Sequence, residues 1–340
     1  MNRTKAIWAV LLALPFSAFL SCDSKVEQSS SKPASSGTTL ELLVVIENNL
    51  WESPVGEEVQ NYFGQEQDGL GQSEPMFDIR QLPPAQFNKL FQKHRNIIIL
   101  KTDENTTAKT IYKKNVWSQP QFVVSMEAPN RDSLKLLLEN EKKNMQEVFY
   151  KAERKRMQKA YERITQKDLA NRIRNTMNIS MLVPKGFYIA ELKEDFLWLR
   201  REPPEMSHGI LIYTEPYTDT TQFHVTNILE RRDSVTKKFI PGPLDGTYMT
   251  TERLLSPFSR KTKFKDQYAI EVRGLWKTKN YQMGGPFLNI TTYDDKNNRL
   301  LTMDGFVYHP NKPKRNYLMQ LEAIIHSIEF LEKEKTQDTP

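Results

Sequence analysis

Apolar residues run almost unbroken from Leu40 to Ile46, the pattern of a strand covered on both faces and therefore central in its sheet. A shorter strand pattern, Phe77 to Leu82, and a second apolar run, Ile97 to Leu100, follow it. Between them lie two segments with helical spacing. Pro54 to Gly64 places Val55, Val59, Tyr62 and Phe63 on one face with Ser53 as N-cap, and a helix opened by Pro83 and Pro84 carries Phe87, Leu90 and Phe91. Strand, helix, strand is the order of an α/β layer. Thr110 to Val116 and Gln121 to Met126 extend the sheet as a hairpin around Trp117 to Pro120.

From Arg131 the pattern becomes that of a long charged helix reaching Ile164, with Leu134, Leu137, Leu138, Met145, Val148, Phe149, Ala152 and Tyr161 along its apolar stripe and Asp132 and Ser133 in its first turn. A further helix covers Lys167 to Asn178, and Ile179 to Gly186 marks a boundary. Beyond it, Phe187 to Leu192, Phe196 to Arg201 and Gly209 to Tyr213 read as antiparallel strands. Phe223 to Phe239 reads as a helix stopped by Pro241-Gly242-Pro243. Three strands follow, Tyr268 to Lys277, Phe287 to Tyr293 and Leu300 to Tyr308, separated by Gly-Pro and Asp-Asn turn signals, and Tyr317 to Phe330 closes the chain as a helix. The expectation is an α+β protein of two sheet-and-helix halves. Its sheets are mainly antiparallel with helices packed on one face, and the long amphipathic helix joins the halves. The similar order of elements raises a duplication, although no stretch of one half matches the other residue by residue.

The first 22 residues follow different rules. Arg3 and Lys5 precede an apolar stretch, Ala6 to Leu14, too short for the about 20 residues of a membrane span, and Phe19-Leu20-Ser21-Cys22 ends it. Ser21 before Cys22 and the apolar Leu20 resemble the lipobox of a cleavable lipoprotein signal, 1–21, which implies Cys22 as the acylated residue anchoring the chain to a membrane; an ordinary signal peptide with a chance cysteine at the cut is the competing reading. Residues 22–39 are a Ser- and Lys-rich tether of roughly 20 to 25 Å root-mean-square span. The organisation continues as an N-terminal half, 40–180, a C-terminal half, 181–332, and a polar tail, 333–340.

Composition adds mainly exclusions. The chain of 340 residues, 38% hydrophobic and 26% charged, has the profile of a folded protein. Its net charge of +6 falls to +4 once Arg3 and Lys5 leave with the signal. The charges of the long helix mix both signs at helical spacing, a solvated face rather than a nucleic-acid surface. Cys22 is the only cysteine, so the mature body has no disulfide, thiol nucleophile or cysteine metal cluster. The five histidines, His94, His208, His224, His309 and His326, show no ligand spacing, and no cofactor or metal motif is present.

Two polar clusters remain. In the second half, Asp245, Tyr248, Arg273, Trp276, Met283, Gly284 and Gly285 combine backbone freedom with residue types that dominate recognition surfaces, which suggests a binding groove. The competing reading gives the glycines to turns, Trp276 to the core and Arg273 to a local carboxylate. In the first half, His94-Arg95-Asn96 sits at a helix-to-strand junction, either a site or a turn motif. Asp245, Glu271 and Asp304 are carboxylates that a glycan hydrolase would need in a pair.

Six blocks carry a resemblance: His94 to Ile97; Ile210 to Tyr213 with Pro216-Tyr217; Ile240 to Pro243 with Tyr248-Met249; Arg273 to Trp276; Met283 to Phe287; and Gln320 to Ala323. Together they resemble a family of uncharacterised Bacteroidota envelope lipoproteins, domain of unknown function 4837, over the span from Leu40 to Phe330. The resemblance implies an envelope location and assigns no activity. The leading expectation is a lipid-anchored, non-catalytic binding or assembly factor of the cell envelope, held to the membrane through Cys22 and engaging an envelope protein or polymer. The alternative is an envelope hydrolase of glycan or peptide with a carboxylate-based site in the C-terminal half.

Overall fold

The computed structural model describes residues 32–333. The expected signal segment, 1–21, with Cys22, and the tail after Lys333 lie outside the described residues. Pro33 to Thr39, expected to belong to the tether, is instead laid against the first half: Ser35 N donates to Gln119 O at 3.1 Å, Ser36 N to Lys93 O at 2.9 Å, and Arg95 N to Ser36 O at 3.0 Å. This part of the expected tether is ordered by backbone pairing, which a polar segment can make without an apolar face.

The first half contains β1 (Glu41–Val45), α1 (Asn48–Trp51), α2 (Pro54–Phe63), β2 (Asp78–Leu82), β3 (Asn96–Thr102), β4 (Lys109–Lys114) and β5 (Phe122–Ala128). Its sheet has the order β2-β1-β3-β5-β4. The first four are parallel and β4 is an antiparallel edge, as crossover connections through helices and turns require. Here the strand-helix-strand pattern of the sequence, rather than the general antiparallel expectation, decides the sheet. β1 is central, and Leu42, Val44 and Ile46 pack under α2 while Leu43 and Val45 face the opposite layer. Each such fully buried side chain contributes about 1.5–3 kcal/mol. Ser53 caps α2, its Oγ accepting Val55 N at 3.3 Å. The helix expected after Pro83 is replaced by two 3-10 turns, Pro84–Gln86 and Phe91–Lys93. Asn88 Oδ1 accepts Leu90 N at 2.9 Å, a local bond that competes with a continuous helix.

α3 (Arg131–Glu162) runs from this half into the next and is capped by Asn130, whose side chain accepts Ser133 N. Then come α4 (Lys167–Met177), β6 (Ile179–Ser180), β7 (Tyr188–Leu192), β8 (Phe196–Arg201), β9 (Ser207–Pro216), α5 (Val225–Phe239), β10 (Met249–Thr251), β11 (Phe258–Phe264), β12 (Gln267–Thr278), β13 (Tyr281–Asp294), β14 (Arg299–Tyr308), α6 (Arg315–Ile325) and β15 (Glu329–Phe330). The large sheet is antiparallel throughout, in the order β10-β12-β13-β14-β9-β8-β7, with β11 beside β12 on the β10 edge. Leu197, Ile210, Ile290, Met303 and Val307 on one face pack with residues of α4 and α6. Trp198, Leu211, Val272 and Phe287 on the other pack with Ile228 and Leu229 of α5. This sheet thus carries a helical layer on each face, one more than expected. The closing helix stops at Ile325, and β15 pairs with β6. β10 and β11 fall where the apolar pattern predicts no element.

The described residues from Pro33 on form one compact unit. The loop after α2 supplies much of the join. Glu74 accepts Lys314 N at 2.7 Å and Arg315 N at 3.0 Å, capping α6 from the other half, and Arg315 pairs with Asp78 at 2.7 Å. Gly69, at φ +77, lies so close to β12 that a Cβ there would sit 2.8 Å from Gly274 N. The parallel first sheet and the antiparallel second give a duplication no support.

Candidate binding cleft

Along β12, alternate residues point to opposite faces. Ile270, Val272 and Trp276 join the core under α5, so Glu271 and Arg273 point toward α6. Both are nearly fully buried, as is Glu322 of α6. Arg273 Nε donates to Glu271 Oε1 at 2.6 Å and its Nη2 to Glu322 Oε2 at 2.9 Å. Arg260 of β11 reaches Glu271 Oε2 at 2.9 Å, and Arg154 of α3 reaches Glu322 Oε1 at 2.5 Å. Burial alone would raise both carboxyl pKa values, but Arg273 with Arg260 at Glu271, and Arg273 with Arg154 at Glu322, hold them below the ordinary value. Both are ionised at neutral pH. Burial would likewise lower the Arg273 pKa, and the two carboxylates raise it instead.

Arg154, Arg260, Glu271 and Arg273 of this network line a cleft of about 1020 Å³ between α3 and β11–β12. Tyr62, Gln67, Gln146 and Tyr150 line one side, and Phe258, Thr262 and Tyr268 the other. Seven cationic and four anionic side chains line it, so the field inside favours anions. Lys143 and Lys151 on α3, and Lys261 and Lys263 on β11, are exposed and make no ion pair among the described residues. His326 also lines the cleft; burial, with Arg154 acting in the same direction, lowers its pKa to about 4. A second cavity of about 1010 Å³ lies beside β11 and shares Arg260, Lys261 and Tyr268 with the first. Its walls are aromatic: Tyr217 lies 4.9 Å from Tyr293, and Phe223 5.1 Å from Tyr268.

The residues expected to form one groove are dispersed. Arg273 faces α6, whereas Trp276, 2% exposed, faces the α5 core and donates Nε1–H to Val307 O at 3.2 Å. Gly284 and Gly285 pair with Lys277 and Trp276, and a Cβ on Gly285 would collide with Val307 O. Met283 is a half-buried neighbour of that core. Asp245 sits on an exposed turn, and Lys237 lies 5.4 Å above the Tyr248 ring. Asp304 is sealed inside, paired with Arg232 at 2.8 Å. Only Arg273 of the seven lines the cleft.

His94-Arg95-Asn96 turns out to hold α3 on the first sheet. Asn96 Nδ2 donates to the buried Glu153 at 2.8 Å, Arg95 pairs with the same carboxylate at 3.3 Å, and Arg156 bonds both Asn96 Oδ1 and Glu153 at 2.9 Å. His94 Nδ1 lies 3.0 Å from Asn96 O, and burial lowers its pKa. No cluster of three metal-ligating side chains exists among the described residues. In the sequence Lys143 and Lys151 figure only as part of the mixed-charge face of the long helix, and Lys261 and Lys263 carry no signal beyond the short basic run Arg260-Lys261-Thr262-Lys263 between Phe258 and Phe264.

Comparison with known proteins divides the chain at the end of α3. Residues 165–327 match the family model described as Domain of unknown function (DUF4837), and residues 35–163 match Domain of unknown function (DUF8532). The two matched segments meet at residue 164 within one compact unit. No curated protein matches the chain. Among solved structures, cyanobacterial PsbP (CyanoP) from Synechocystis is similar at 12% identity, covering 45% of this chain and 86% of its own, with a TM-score of 0.32. The Saccharomyces cerevisiae Ran-binding protein Mog1p is similar at 8% identity over 46% of this chain and 91% of its own, TM-score 0.31, and a point mutant of protein Mog1 at 10% over 46% and 92%, TM-score 0.31.

Proposed function

We propose that this protein is a lipid-anchored, non-catalytic binding protein of the cell envelope of a Bacteroidota-type bacterium, and that its cleft takes an anionic segment of an envelope protein or polymer. The observation that carries the reading is the pairing state of the cleft charges. Glu271 at the back of the cleft, and Glu322 behind Arg273, are occupied by arginines, while Lys143, Lys151, Lys261 and Lys263 have no acidic partner among the described residues. Cations left unpaired around a concavity attract an anion and steer its approach. A hydrolase using carboxylates would need one with a raised pKa to donate a proton; Glu271 and Glu322 are shifted the other way. The anchor rests on the Ser21-Cys22 junction and the charged and apolar segments before it.

Two measurements test the proposal. Cells fed a clickable palmitate analogue should label the native chain and not Cys22→Ser; equal labelling removes the anchor. Purified full chain in detergent should bind polyglutamate and polygalacturonate more tightly at low than at physiological ionic strength, and Lys143→Glu with Lys151→Glu should weaken the affinity about tenfold, equivalent to 1.4 kcal/mol. Absence of binding to either polyanion would remove the cleft from the proposal.

A further inference from the structure

The strand β11 offers more than charge. It pairs with β12 from Phe258↔Arg273 to Phe264↔Gln267, and no backbone group of Phe258–Phe264 bonds to any other segment among the described residues. About half of the N–H and C=O groups of an edge strand point away from its neighbour, so seven residues, about 23 Å long, present an open ladder. The two cavities meet at this strand, one containing Lys143, Lys151 and Arg154, the other Tyr217, Phe223 and Tyr293, with Arg260, Lys261 and Tyr268 common to both.

We infer that β11 is the docking edge for an extended acidic peptide, which adds to the large sheet as a further strand. This rests on the proposal that the cleft binds an anion, and it names the ligand. A strand added there alternates its side chains between the two sides of the sheet. One set enters the cationic cleft, where acidic residues meet Lys143, Lys151 and Arg154. The other lies on the aromatic wall, where Leu, Val, Phe or Tyr fit. Backbone pairing provides affinity independent of sequence, and the two unlike cavities select an acidic-apolar alternation. A second copy of this chain is a poor occupant, since antiparallel pairing of β11 with itself sets Lys261 against Lys261 and crowds Arg260 and Lys263 of both copies along the same seam, which is destabilising. Exposed lysines also protect the edge from indiscriminate pairing, so an acidic partner both satisfies the edge and removes that protection.

The test uses full chain in detergent and an end-capped pool of heptapeptides, Glu-X-Glu-X-Glu-X-Glu with X drawn from Leu, Val, Phe and Tyr. The same pool N-methylated at alternate amides in either phase serves as the comparison, with polygalacturonate as a non-peptide anion. The inference expects the unmethylated pool to bind, amide exchange to slow over Phe258–Phe264, and affinity to fall at least tenfold on N-methylation in one phase. Lys143→Glu with Lys151→Glu, both exposed on the cleft side, should cost a similar factor. Equal binding of the methylated pools, or exchange protection that spares β11, overturns it. Binding of polygalacturonate without the peptides overturns it while leaving the cleft reading standing; binding of neither removes both. A concentration-dependent dimer in sedimentation that protects β11 without peptide would assign the edge to self-pairing instead.

Discussion

The large sheet holds a buried arginine on each of its faces, and the two are used in opposite ways. On the α5 side, Arg232 and Asp304 are both 0% exposed, with Thr251, Asn289 and the Phe287 ring completing the shell. Every partner is internal. On the α6 side, Arg273 is equally enclosed by its two carboxylates, but their outer partners, Arg154 and Arg260, are partly exposed on the cleft. The first arrangement has no exit to solvent, whereas the second passes its charge outward in two steps. A buried pair contributes little net stability relative to an apolar replacement, yet breaking it is costly. The sealed pair should therefore behave as architecture, and the open one as the footing of a surface that binds.

The largest expected effect tests the sealed side. Asp304→Ala leaves Arg232 charged without its counterion and should cost about 3–5 kcal/mol in urea unfolding; a loss under about 1 kcal/mol would mean water reaches that pair. Acid is next. His208 is buried, its ring nitrogens have no hydrogen-bond partner among the described residues, it stacks on Phe187 at 5.2 Å, and burial lowers its pKa to about 4 from 6.5. Above pH 6.5 the residue is neutral folded or unfolded. Between about 6.5 and 4 the unfolded chain takes up a proton that the fold refuses, so stability falls as pH falls, by up to about 3 kcal/mol, and levels off below pH 4. His208→Phe should flatten that window in a pH series of unfolding midpoints; an unchanged slope would transfer the effect to His326 or elsewhere. On the open side, Arg273→Met should cost about 2 kcal/mol, less than Asp304→Ala, because Arg260 and Arg154 still hold the carboxylates. Equal costs would erase the distinction. Smallest of all, Lys143→Glu with Lys151→Glu should change stability by no more than about 0.5 kcal/mol while altering polyanion affinity, which separates binding from folding.

How legible these regions were follows from how strongly each is written in apolar pattern. β1 was plain, because Leu42 to Val45 are buried on both faces and nothing polar interrupts them. β11 was invisible for the complementary reason: an edge strand with Arg260, Lys261 and Lys263 exposed has no apolar alternation to detect. The grouping of Arg273 with Trp276 failed on parity. Residues three apart on a strand point to opposite faces, so one entered the α6 side and the other the α5 core. Grouping by proximity in the chain suits a helix or loop; β12 demanded grouping by twos. The meeting of Glu271 and Glu322, 51 positions apart in the chain, on either side of Arg273 depends on α6 folding back across the sheet, and no local pattern records that.

The cap on α6 bears on how the two family-defined segments came to share a chain. The backbone N–H groups that open this helix are closed by Glu74, about 240 positions earlier, so a piece beginning at residue 165 would start its last helix with two donors facing nothing. Such a fragment should be less cooperative and quicker to fray at its C-terminal end than the whole. Recombination that swapped the first segment for another would have to bring its own acidic residue to the same spot. The boundary between the two segments is therefore a seam in sequence and a continuous piece of material in three dimensions, and shuffling across it is penalised by the loss of a single carboxylate.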